Sequence, residues 1–227
     1  MFRNDTILFH FIGPMGVRVE VGQSLGLLCG FFLLMSGGDI SWTITFVVLL
    51  LTAIFLHELG HAWGCVVQGV PVRRIMLHGG GGFCERSRSA TRSEDELIVL
   101  MGPLVNLALW ALSSLAWWAI WQDDVLAMGS VMIEVSQALF VFAHLNLFLF
   151  IFNMIPVQPL DGGKLLHLTM LRFLEPGAAH RVTGRIGLVL SILWLPAMAV
   201  VYYHYGWVLF FIPSIPAHYR MARGQLA

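Results

Sequence analysis

The sequence predicts an all-α polytopic membrane protein of about six transmembrane helices, with a small β hairpin or sheet at the cytoplasmic membrane surface. Three observations predict it. Hydrophobic residues make up 58% of the 227 positions and charged residues only 11%, against about 25% in ordinary soluble domains. The mean hydropathy is +0.79. Long apolar runs recur along the chain, and nearly all the charge falls in the segments between them. A soluble domain of this size cannot cover its surface with so few polar groups, and the composition equally excludes a disordered chain or a coiled coil.

Hydropathy places the spans at about 22–37, 43–68, 97–121, 132–155, 183–203 and 206–219, all within one membrane-embedded domain covering 1–227. The first apolar run ends in Ser36-Gly37-Gly38-Asp39, which offers no small-x-small cleavage site, so it reads as a retained span rather than a leader. Pro213 and Pro216 interrupt the last. Arg3 and Arg18 precede span one. Arg73, Arg74, Arg86, Arg88 and Arg92 separate spans two and three. Lys164, Arg172, Arg181 and Arg185 follow span four, and Arg220 and Arg223 follow span six. Six spans therefore put all thirteen cations on one face, which the positive-inside rule makes cytoplasmic, with both termini inside. Thirteen Asp and Glu balance them, leaving no cationic excess for a nucleic-acid partner. Cys29, Cys65 and Cys84 are too few and too scattered for a disulfide framework.

Three connections read as structured. Residues 71–85 alternate in part and carry four glycines, which suggests a strand and turn of a hairpin at the membrane surface. Residues 6–20 read as extended, with Gly13-Pro14 as a turn, and residues 161–174 as a short amphipathic helix.

Span two contains His57-Glu58-Leu59-Gly60-His61. Histidines four apart share one helix face, so both imidazoles can reach one metal ion, and the glutamate between them can reach a water on that ion. Two histidines and a glutamate at membrane depth are costly unless they serve a site. Zinc requires a third protein ligand and an open position. Two residues offer themselves. Asp161 follows span four in Asn153-x-x-Pro156-x-x-Pro159-Leu160-Asp161-Gly162. Its prolines end the helix, and the charge-derived topology brings it to the same face as His61. Cys65 lies four residues past His61 on the same helix; a ligand row on one straight helix surrounds an ion poorly, and Cys65 reads as a buried packing residue.

At these residues the chain resembles the site-2 protease family of intramembrane zinc metalloproteases. His57–His61 is similar to the family's HExxH motif, Asn153–Gly162 to its proline-aspartate motif, and Gly102-Pro103-Leu104-Val105-Asn106 in span three to its GPxxN element. Gly79–Gly82 is similar to the β segment after the HExxH helix, and together the motifs cover roughly 50–165. The resemblance implies one zinc per chain held by His57, His61 and Asp161, with Glu58 as general base. It implies that Asn106 and Asn153 line the site, each a candidate oxyanion donor. It also implies a substrate that is a single-pass membrane protein, such as an anti-sigma factor or another membrane-tethered regulator, cut within the bacterial inner membrane amid lipid. A regulatory membrane partner or a homo-oligomer is compatible with it. The type expected is a minimal core without PDZ or CBS domains.

A substrate helix hides its carbonyls in intrahelical bonds and must unwind before it is cut. Residues 72–84, with Ile75, Leu77 and Gly80, are expected to offer an extended substrate a strand edge. Two other readings compete: a metal-handling transporter that uses the histidines in transit, and a catalytically silent relative that binds helices. A transporter usually shows paired broken helices in repeated halves, and here one half alone carries the metal motif. The intact Glu58 speaks against a silent relative. His144 reads as an interhelical hydrogen-bonding histidine. His10, His78, His167, His180, His204 and His218 read as interfacial, where a polar tip is cheap.

Overall fold

The computed structural model describes residues 5–122, 129–205 and 211–225. The chain divides into two compact units, residues 1–151 and 152–227. In the first, strands β1 (Ile7–Ile12) and β2 (Arg18–Gly22) precede helices α1 (Gln23–Leu34) and α2 (Ile40–Val67). Strands β3 (Val72–His78) and β4 (Gly81–Arg86) follow, then helices α3 (Arg92–Ile120) and α4 (Ser130–Asn153), whose end reaches the second unit. The second unit contains α5 (Asp161–Phe173), α6 (Pro176–Tyr205) and α7 (Ile215–Ala222).

Among the described residues, four helices are long and apolar enough to cross a membrane: Ile40–Val67, Arg92–Ile120, Ser130–Asn153 and Pro176–His204. They lie where spans two to five were expected, and the chain is a multi-pass membrane protein. The expected first span is α1, whose twelve residues reach about 18 Å at 1.5 Å per residue, short of a hydrocarbon layer about 30 Å thick. The expected sixth span is not found as one helix among the described residues. Residues 206–210 lie outside them, 211–214 have no regular structure, and α7 has eight residues. The reason lies in the prolines. Pro216 occupies the first turn of α7 behind the Ser214 cap, whose hydroxyl accepts from Ala217 N, so it starts a helix rather than interrupting one.

The sheet has the order β1-β2-β3-β4. β1 with β2 and β3 with β4 are antiparallel, whereas β2 and β3 are parallel. The extended reading of 6–20 and the hairpin reading of 71–85 thus describe two halves of one sheet. β2 and β3 pair although α1 and α2 lie between them in the chain. Alternation then sorts the faces. Val19, Val21, Ile75 and Leu77 pack with Val17, Leu25 and Ala62 in one core, against Leu51, Phe55 and Leu59 of α2. On the strands' other positions Arg74 bridges Glu20 (2.5 Å) and Glu85 (2.6 Å), and Arg18 adds a second contact to Glu20 (2.8 Å). Buried Glu20 is therefore paired, as a carboxylate must be.

One expectation is corrected here. β3 is an interior strand, with neighbours on both sides, and Ile75 (0% exposed) and Leu77 (8%) are core residues. Neither presents a strand edge, because the N-terminal strands cover that side. Gly80 lies in the turn before β4 and donates its N–H to His78 Nδ1 (3.0 Å). Burial holds the His78 imidazole below its ordinary pKa, which favours this neutral acceptor. The free edge on that side of the sheet belongs to β4.

Helices α2 and α3 approach closely because Gly60 and Gly64, four residues apart on α2, face α3. A Cβ on Gly60 would stand 2.7 Å from Met101 O, and one on Gly64 3.1 Å from Ile98 Cα. Small residues at this spacing let helices touch in lipid, where packing replaces the hydrophobic effect as the associating force. Thr91 and Glu94 form a capping box that starts α3. Replacing Gly64 with Leu should lower the thermal midpoint in detergent, by overpacking worth about 1–3 kcal/mol. Gly30→Ala, on α1 with nothing within 4 Å of the added carbon, should leave it unchanged or raise it by the helix-propensity gain.

Candidate metal centre

His57, Glu58 and His61 are all buried, 6%, 5% and 7% exposed. The two imidazoles lie edge to face, with ring centroids 4.7 Å apart. Gly102 of α3 makes this possible, since a Cβ there would run into the rings of both histidines. The glycine of the Gly102-Pro103 pair is thus a space requirement of the histidines.

Hydrogen bonding fixes the tautomers. His61 Nδ1 lies 2.8 Å from Ile98 O, a carbonyl that only accepts, so Nδ1 carries the proton. For His57 the orientation descends through two amides. Asn146 Nδ2 donates to Phe142 O (2.8 Å), which turns Asn146 Oδ1 toward Asn106. Asn106 Nδ2 donates to that oxygen (2.8 Å), which turns Asn106 Oδ1 toward His57. His57 Nδ1, 2.6 Å away, must then donate. Both Nε2 atoms are left with lone pairs, and they stand 3.0 Å apart. Two nitrogens on one tetrahedral zinc ion stand about 3.4 Å apart, so the pair fits that ion.

Asn106 was expected as a lining residue or oxyanion donor. It is wholly buried, its carboxamide oxygen takes the His57 proton, and its amide also lies 3.5 Å from Ala53 O. It orients His57. Asn146, which sequence reasoning passed over, is the second member of that chain. An asparagine at the centre of an apolar span was the available signal. Asn153 ends α4 and is half-buried.

Glu58 Oε2 is buried with no hydrogen-bond partner among the described residues, a costly state for a carboxylate that suits an atom meant to receive a proton. Gly82 of β4 makes room for it, since a Cβ there would lie 2.6 Å from Glu58 Cγ. Cys65 is buried in a cluster with Val70 and Ile98, a packing residue. Cys84 meets its thiol, and that contact together with burial pushes the Cys84 pKa up. His144 is exposed and bonds Phe140 O of its own helix (2.8 Å) rather than another helix.

In the second unit the two prolines do end the helix. α4 stops at Asn153 and α5 starts at Asp161. Asp161 is 3% exposed, and Lys164 Nζ lies 3.2 Å from its Oδ1. A carboxylate in a first helical turn is favoured by the exposed N–H groups there. Gly162 and Gly163 follow because the turn folds back on them: side chains there would strike the backbone of Met154 and Ile155, and of Val157 and Gln158.

A buried HExxH sequence with both histidines oriented, on a helix long and apolar enough to cross a membrane, is the mark of a class of membrane-embedded metal-binding proteins. Residues 45–126 and 119–194 match the sequence model of peptidase family M50, and the chain belongs to that family. It is 34% identical over 167 residues to stage IV sporulation protein FB of Bacillus subtilis, covering 72% of this chain and 50% of that protein. It is 27% identical over 199 residues to zinc metalloprotease MJ0392 of Methanocaldococcus jannaschii, covering 83% and 52%. The chain thus spans about half the length of the curated relatives it matches. Its fold is similar to that of the site-2 protease from Methanocaldococcus jannaschii, with TM-score 0.62 at 21% identity over 95% of this chain and 92% of that one.

Asn106→Ala should weaken zinc binding 10- to 100-fold, the usual effect of removing a group that orients a ligand histidine. His144→Ala should leave it unchanged. Competition with a chromophoric chelator measures both.

Proposed function

We propose that this chain is an intramembrane zinc endopeptidase, one protease domain that cuts a peptide bond in or near a transmembrane helix of a membrane-tethered substrate. Its ligands are His57, His61 and Asp161, one ion per chain. The observation that carries the reading is the histidine pair: both rings are buried, each Nδ1 is hydrogen-bonded away, and the two Nε2 atoms stand 3.0 Å apart, placed to share one ion; Asp161, buried in the proline-aspartate motif, supplies the third ligand. Relatives whose names describe zinc metalloproteases support it.

Zinc held there would supply Lewis-acid polarisation of the scissile carbonyl and a water acidified to a pKa near 7. Glu58 removes a proton from the attacking water and returns it to the amide nitrogen as the C–N bond breaks. Asn153 is the remaining oxyanion candidate, because the Asn106 amide is engaged.

The substrate, as an extended segment, adds to the free edge of β4, which runs past Glu58 at Gly82. The membrane is a bacterial inner membrane and the sheet faces the cytoplasm with both termini, on the argument of the cations. A single-pass regulator such as an anti-sigma factor is the substrate type this arrangement suits.

Glu58→Gln should retain one zinc per chain and lose at least 100-fold in turnover of a membrane-tethered reporter, the scale of general-base catalysis. Asp161→Ala should lose the zinc, and chelation should abolish turnover reversibly. A Glu58→Gln chain with full turnover would overturn the mechanism. A proline scan across β4 checks the docking edge. At alternate positions, where the N–H points away from β3, proline should slow cleavage with zinc retained.

A further inference from the structure

His218 was expected to be an interfacial histidine with a solvated tip. It is instead 1% exposed, on α7, among the most deeply buried side chains described. We infer that His218 is a positioning residue that holds the turn carrying Asp161. The inference rests on Asp161 being a metal ligand.

The turn from Asn153 to Asp161 is short of backbone donors, because Pro156 and Pro159 have no N–H. Three of its N–H groups bond locally: Ile155 to Phe152 O, Val157 to Ile155 O and Leu160 to Val157 O. Gln158, between the prolines, turns its N–H to His218 Nε2 instead, 3.2 Å away and sixty residues on. The histidine is oriented for this. Its Nδ1 lies 2.9 Å from Ser214 O, which can only accept. It also lies 3.2 Å from Ser191 Oγ, whose own proton goes to Gly187 O at 2.6 Å. Nδ1 therefore carries the proton and Nε2 the lone pair that Gln158 needs.

Helix α6 is shaped to admit the ring. A side chain at Gly187 would strike His218, and one at Gly184 would strike the backbone of Met221 and Ala222. At its other end, Gln158 lies against the first turn of α5, close enough that a Cβ on Gly163 would meet Gln158 N. A continuous series of contacts thus runs from Ser191 on α6 through His218 and Gln158 to the helix start that presents Asp161. An apolar ring would fill the same space without accepting the proton. It would leave a buried N–H unsatisfied and the turn free to shift.

The test uses the full chain in detergent. It reads zinc affinity by chelator competition, the visible spectrum of the Co²⁺ form, and the thermal midpoint of the metal-free protein. Wild type and Asp161→Ala are compared first. If wild type takes up no zinc, or Asp161→Ala keeps it, the ligand assignment falls and this inference with it. His218→Phe keeps the ring and removes the acceptor. It should fold, bind zinc roughly 10- to 100-fold more weakly, as loss of a ligand's support does, and change the Co²⁺ spectrum. His218→Gln restores an acceptor and should recover most of the affinity and the wild-type spectrum. If His218→Phe alone fails to fold, the glutamine variant decides: wild-type affinity supports positioning, and weakened affinity in a folded chain overturns it. A folded His218→Phe chain with wild-type affinity and spectrum overturns it and leaves the Asp161 assignment standing. Failure of both variants to fold assigns His218 to packing and overturns it as well.

Discussion

The hydrogen bond from His57 Nδ1 to Asn106 Oδ1, 2.6 Å long, is the constraint on which the histidine pair depends. An imidazole has two nitrogens and one proton to place, and a metal ligand is useful only if the proton is on the other one. An isolated asparagine would not decide the matter, since its carboxamide can turn over. The decision comes from a main-chain carbonyl, Phe142 O, and passes through Asn146 and Asn106 with no step free to reverse. His61 reads a carbonyl directly, at Ile98. In a bilayer interior, where no water stands in for a lost partner, each such bond has few alternatives.

That hydrogen-bonded series spans α2, α3 and α4, so it holds only if the helices stand at a fixed separation. In lipid the glycines set it. Gly60 and Gly64 bring α2 against α3, and Gly102 returns the space the histidines occupy. A methyl group at any of the three would move the amides that orient the ligands. The sheet fixes the other side of α2. Its apolar face packs on Leu51, Phe55 and Leu59, and Gly82 of β4 admits the Glu58 side chain. Helix α3 thus shapes the space around the histidines and the sheet the space around Glu58, on two sides of α2.

How much of this was legible follows from the range of the interactions. HExxH is a spacing on one helix, and the prolines around Asp161 act on their own backbone, so both could be read from local sequence. The parallel pairing of β2 with β3 joins segments more than fifty residues apart. Nothing in the short pattern of 72–78 distinguishes an interior strand from an edge, and Ile75 and Leu77 were misplaced for that reason. Asn106 was legible as a site residue but not as a ligand's orienter, because that role is defined by Asn146, forty residues away. Pro216 was read as a breaker of a span and proved to be the start of a helix. Hydropathy alone cannot tell a proline within a helix from one in its first turn.

The two kinds of side chain proposed as ligands are held by opposite means. His57 and His61 lie in an unbroken helix whose backbone bonds are complete, so the side chains themselves must be steered, and asparagines and a carbonyl do it. Asp161 begins a helix after seven residues without regular helical pairing, so the uncertainty lies in the backbone. A short carboxylate has little rotamer freedom, and once its Cα is placed the oxygens follow. Support for that ligand must therefore act on the main chain of the turn. The features found there do so. Gly162 and Gly163 let the turn close on the start of α5, and His218 accepts from the Gln158 N–H between the prolines. A proline-rich turn lacks the donors to brace itself, so its brace has to be a side-chain acceptor brought from elsewhere in the chain. A buried neutral histidine on α7, its proton already committed to Ser214 O, meets that requirement.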